Sequence, residues 1–88
     1  MPSPRFLRSA RRLRKLRPDS DAALRAALAT LSDDAFAPML RSHKLKGELS
    51  GLWSCSAGYD LRILFEIVVR DGAEVLALHA VGTHDEVY

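Results

Sequence analysis

Two residues near the end of the chain could do proton chemistry together. They are His84 and Tyr88, in the closing run Gly82-Thr83-His84-Asp85-Glu86-Val87-Tyr88. An imidazole and a phenol four residues apart come within reach if the segment makes one helical turn. Both groups exchange protons and hydrogen-bond well to a phosphodiester. An imidazole just past a strand-like run is expected to be exposed and to titrate near neutrality. A histidine there can equally bond the local backbone, and a tyrosine at a chain end can simply fray. Arg62 is a second candidate, because a guanidinium can hold a phosphate with two parallel hydrogen bonds. Its alternative is an ion pair with Asp60, Glu66 or a carboxylate on the neighbouring strand. A third group is His43, Lys44 and Lys46, in His43-Lys44-Leu45-Lys46-Gly47. These supply an imidazole and two ammonium groups, or a solvated surface. His79 suggests no chemical role.

These residue types fit cleavage of RNA by internal transesterification. That reaction needs a base for the ribose 2′-OH, a cation for the pentacoordinate phosphorus and an acid for the leaving 5′-oxygen. It needs no metal, and the sequence has no convincing set of metal ligands. No cofactor-binding motif is present, so neither a metal nor a cofactor is expected. Trp53 and Cys55 read as packing residues, since a reactive thiol requires an electropositive setting.

With 88 residues the chain is expected to form a single domain spanning 1–88 around one modest core. An apolar fraction of 48% and a charged fraction of 27% exclude a disordered chain. One cysteine cannot close an internal disulfide, which fits a reducing cytoplasm. No apolar run is long enough to span a bilayer, and the basic start does not lead into a signal-peptide core. The expected location is the cytoplasm, with no membrane partner. Net charge is +2, yet seven of the 13 cations precede the first acid, Asp19. A first helix this rich in arginine suits nucleic-acid phosphates or an acidic protein, or is a solvated face.

Ser3-Pro4 is a helix start, and Phe6, Leu7, Ala10, Leu13 and Leu16 recur at helical spacing. Pro18 ends that helix, and Asp19 or Ser20 caps a second one with Leu24, Ala27, Leu28 and Leu31 on its buried face. The short join predicts a helical hairpin. Phe36, Met39 and Leu40 are expected to close the core from a loop. Strand patterning begins at His43 and runs through Leu52–Ser56, Tyr59–Val69 and Glu74–Val81. Asp71-Gly72 makes the hairpin turn between the last two strands. In the long strand Tyr59, Leu61, Ile63, Phe65 and Ile67 should face the helices. Asp60, Arg62, Leu64 and Glu66 should face away. The fold class is α+β, an N-terminal helical hairpin on one face of a small, mainly antiparallel sheet with an open opposite face.

Leu45-Lys46-Gly47, Ser56-Ala57-Gly58-Tyr59-Asp60-Leu61-Arg62-Ile63-Leu64-Phe65-Glu66 and Gly82–Tyr88 together resemble the RelE/ParE toxin superfamily. The match is to its RelE/StbE (YafQ-like) branch of mRNA interferases from type II toxin–antitoxin systems, and it covers residues 3–88. The resemblance implies a translation-inhibiting endoribonuclease that cuts mRNA on the ribosome and is silenced by a cognate antitoxin. It implies that His84 is the main acid–base residue and that Tyr88 stacks on a base or assists at the 2′-OH. Arg62 would bind phosphate, and His43 would take part in catalysis. Three departures stand out. The first edge strand of the family is missing, with only Met1-Pro2 ahead of the helix. Ala80 stands where YafQ-like relatives place an arginine, and Ser56 replaces one of their histidines. Cationic stabilisation then falls to Arg62, Lys44 or Lys46. The alternatives are a non-catalytic inhibitor like the gyrase-directed ParE branch, or a truncated toxin that only binds its antitoxin.

Overall fold

The structure is a computed structural model describing residues 1–88. Helix α1 spans Pro4–Leu16, and Ser3 caps it by accepting a hydrogen bond from the Phe6 N–H at 3.0 Å. Pro4 sits where a missing N–H costs nothing. A short 3-10 turn over Pro18–Ser20 leads into α2, Asp21–Asp33. Four strands follow: β1 His43–Lys44, β2 Trp53–Ala57, β3 Leu61–Arg70 and β4 Ala73–Thr83. They pair antiparallel in the order β1-β2-β3-β4. Asp71 and Gly72 both have positive φ, 50° and 80°, as the tight turn between β3 and β4 requires. A last helical turn, α3, spans His84–Val87.

Helices α1 and α2 cover one face of the sheet. Phe6, Leu13, Leu24, Ala27 and Leu31 pack there with Cys55, Ala57, Leu61, Ile63 and Phe65 in one buried cluster. The apolar stripe of α1 is narrower than its sequence suggests. Leu7 is 49% and Leu16 63% exposed, because Ser9 occupies the inward path and accepts the Val81 N–H at 3.1 Å. Of the loop residues expected to close the core, only Leu40 does so; Phe36 and Met39 are exposed.

The opposite face departs from expectation. Leu64 is fully buried there with Ala80 and Val87, and Leu45 and Leu52 pack beside them. The cause is α3, which folds back over that face, so the sheet is open only in part. Tyr59 does not pack on the helices either. It is 98% exposed, because Gly58 with φ 73° turns the chain before β3 begins. The neighbouring Asp60 takes both terminal nitrogens of Arg17, at 2.8 and 3.1 Å, tying the end of α1 to this turn.

The first edge strand is reduced rather than absent. Pro2 forms a parallel bridge with Leu78, the Leu78 N–H donates to Met1 O, and the Ser3 N–H donates to Leu78 O. Just beyond this bridge the β3–β4 register shifts. Leu64 faces Ala80 while Phe65 faces Leu78, which leaves His79 as the extra residue of a β-bulge.

Candidate functional site

Strand register brings the candidate residues onto the face covered by α3. His43 lies opposite Ser54, Ser54 opposite Leu64, and Leu64 opposite Ala80, one row across all four strands. The next row is Ser56, Arg62 and Gly82. Residues two apart in a strand share a face, so Arg62 and Leu64 project to the same side. Over this surface lies the α3 turn, with Val87 buried against Leu64 and Ala80.

Burial of Val87 fixes the rotation of α3 and so aims its other side chains. Tyr88 crosses the row and its hydroxyl donates to Ser54 Oγ, which is fully buried in the middle of the sheet. The His84 ring packs edge-on against the Tyr88 ring, with centroids 4.5 Å apart and planes at 72°. The His84 side chain remains 69% exposed, with Nδ1 3.5 Å from Asp85 Oδ1 and Nε2 free of protein partners. The expected pairing of His84 and Tyr88 across one helical turn is present.

His43 adjoins Ser54 on the neighbouring strand, within about 5 Å of it Cα to Cα. Its Nδ1 lies 3.1 Å from the Arg41 carbonyl oxygen. A carbonyl only accepts, so Nδ1 is the donor in this contact and Nε2 is the ring nitrogen without a protein partner. Arg41 has the left-handed φ of 51° where the chain leaves the Pro38–Leu40 turn, and this turns its carbonyl back towards the ring.

Arg62 sits half-buried beside the row, donating to the Leu61 carbonyl at 2.9 Å. No carboxylate lies within 4.0 Å of it. The acids that could have paired with it are held elsewhere, Asp60 by Arg17 and Glu66 by His79 at 3.3 Å. Its guanidinium is therefore left without a direct ion pair.

Lys44 does not join this group. Alternation along β1 sends it to the side of Trp53, where its Nζ stands 5.5 Å from the ring centroid. Trp53 in turn stacks on Phe65 and meets Phe36 edge-on. Lys46 lies beyond β1, exposed, ahead of the Gly47–Leu49 turn and without an acidic partner. Of the three cations expected to serve phosphate, Arg62 alone occupies the row beside Tyr88. Cys55 is buried, and burial pushes its thiol up to about 11, so it stays protonated and inert. Ser54 carries no signal of its role in the sequence. A lone serine in an alternating strand gives no sign that a tyrosine 34 residues later will bond to it.

The end of α3 is held at the edge of the sheet. Glu86 Oε1 accepts the Thr83 N–H at 2.9 Å, and this bond, helped by Arg12, keeps its carboxyl below the usual carboxylate range. The protein has no clustered set of His, Cys, Asp or Glu side chains suited to a metal.

At the level of sequence, no protein-family model and no curated protein matches the chain. Solved structures do. The helices followed by a four-stranded antiparallel sheet match the fold of RelE/YafQ-type toxins, and the resemblance seen in the sequence holds for the fold. A point-mutant form of YafQ from Escherichia coli superposes with a TM-score of 0.80 at 16% identity, covering 99% of this chain and 93% of that one. A YoeB/ParE toxin from Agrobacterium tumefaciens gives 0.78 at 13%, covering 96% and 95%. A metal-bound toxin from Helicobacter pylori gives 0.76 at 26%, covering 99% and 94%. Another matching structure is the complex of Escherichia coli DinJ with YafQ, a toxin with its antitoxin.

Proposed function

We propose that this protein is the toxin of a type II toxin–antitoxin pair, acting in the cytoplasm as an endoribonuclease on mRNA engaged by the ribosome. The observation that carries the reading is the His84–Tyr88 pair packed at 4.5 Å on the strand face that also presents His43 and an unpaired Arg62. These groups supply each element of metal-independent transesterification. His43 takes the proton of the 2′-OH at Nε2. The 2′-oxygen attacks phosphorus, Arg62 neutralises the charge gathering on the non-bridging oxygens, and the P–O5′ bond breaks. His84 delivers a proton from its exposed Nε2 to the leaving 5′-oxygen. Tyr88 orients the His84 ring and offers its face to a base.

The products distinguish this chemistry from metal-assisted hydrolysis. Purified protein incubated with programmed ribosomes should leave a 5′-hydroxyl on one fragment and a 2′,3′-cyclic phosphate or 3′-phosphate on the other. Fragments that carry 5′-phosphates and 3′-hydroxyls would contradict it. The partner in this reading is an antitoxin, in keeping with the neighbouring DinJ–YafQ complex.

A further inference from the structure

Helix α1 turns Arg5, Arg8 and Arg12 along one edge, at the three- and four-residue spacing that aligns side chains on a helix. They rim a groove of about 290 Å³ where α1 meets β4 and α3. The floor is apolar, formed with Leu13, Val81 and Val87. Charge along the rim is largely unmatched. Arg12 lies 4.0 Å from Glu86, while Arg5 and Arg8 have no carboxylate within 4.0 Å. An anionic partner is the complement, and two features separate protein from nucleic acid. The groove holds no aromatic ring on which a base could stack. Its wall includes Leu16, 63% exposed, an apolar surface that a peptide side chain covers and a phosphate backbone does not.

We infer that this groove binds an acidic, leucine-bearing segment of a partner protein, with carboxylates on Arg5, Arg8 and Arg12 and apolar side chains on the floor. The inference rests on the partner half of the reading above and is independent of cleavage. The segment would lie against Glu86 and Val87 of α3, the turn that carries His84.

The probe is a synthetic amphipathic helical peptide with glutamates at four-residue spacing beside leucines, titrated into the full chain by calorimetry and amide NMR. The acidic peptide should shift the amides of Leu13, Val81 and Val87 and bind more weakly as salt rises. The combined variant Arg5→Gln, Arg8→Gln, Arg12→Gln should weaken binding about tenfold, three partly exposed ion pairs being lost together. Its thermal midpoint should stay close to that of the unsubstituted chain. Replacing the peptide's glutamates by glutamine should cost as much. No binding, binding indifferent to the triple variant, or shifts on another face would overturn the inference. So would oligouridylate, rather than the peptide, losing affinity in the variant, because the groove would then be a nucleic-acid surface. Since no cleavage is read, an inactive nuclease leaves the result standing, and an active one does not rescue it.

Discussion

At Tyr88 two interactions meet, one fixing its hydroxyl on Ser54 and one setting its ring against His84. Tyr88→Phe removes only the first. Loss of a single neutral hydrogen bond is worth about 0.5–1.5 kcal/mol, so single-turnover cleavage should fall about two- to thirteenfold. Tyr88→Ala removes the ring as well and should cost considerably more. A collapse of activity in Tyr88→Phe equal to that in Tyr88→Ala would mean that the phenol proton itself takes part in the reaction. The sequence showed that His84 and Tyr88 could meet, because both lie within one turn. It did not show that Arg62 would be left unpaired. The acid beside it, Asp60, is taken by Arg17, 43 residues away, and no local pattern encodes that choice. Lys44 departs from expectation for the opposite reason. A two-residue strand is too short to reveal its phase, and phase alone decides which of His43 and Lys44 faces the row.

Helix α3 holds the site together and is only four residues long, too short for periodicity to announce it. Helices α1 and α2 were legible because proline, serine and aspartate punctuate them; the bulge at His79 was not, since nothing in β4 marks an extra residue. Attachment of α3 has a pH signature. The Thr83 N–H holds the Glu86 carboxyl below its ordinary range, and the Arg17 guanidinium does the same for Asp60. A carboxyl whose pKa is depressed by folding contributes stability above its unfolded pKa, and loses it as pH falls through the folded value. The thermal midpoint should therefore drop on acidification below about pH 4, near the unperturbed carboxylate values. Glu86→Gln and Asp60→Asn should each flatten part of that drop. A midpoint that holds steady or rises over the same range would contradict this role for the two carboxylates.

Across the whole molecule, β3 lies between two apolar layers. Ile63 and Phe65 face the helices and Leu64 faces α3, all three fully buried. The continuous run Leu61-Arg62-Ile63-Leu64-Phe65 has the pattern of a one-sided strand, because Arg62 and Glu66 mark its polar phase. Leu64 shares that phase and is buried only because the chain returns over it. Leu64→Ala should lower unfolding free energy by about 2–5 kcal/mol, as for other large-to-small changes at buried sites. A loss well under that range, read by denaturant titration, would mean that α3 spends much of its time away from the sheet.

The most direct test of the nuclease account is to induce the chain in cells beside His84→Ala, having checked that the variant keeps the same thermal midpoint, and to follow growth and transcript ends together. The account predicts that the unsubstituted chain stops growth with transcripts cut inside coding regions, and that His84→Ala does neither. Arrest by both proteins with transcripts intact would contradict it and identify the fold as an inhibitor acting by binding alone.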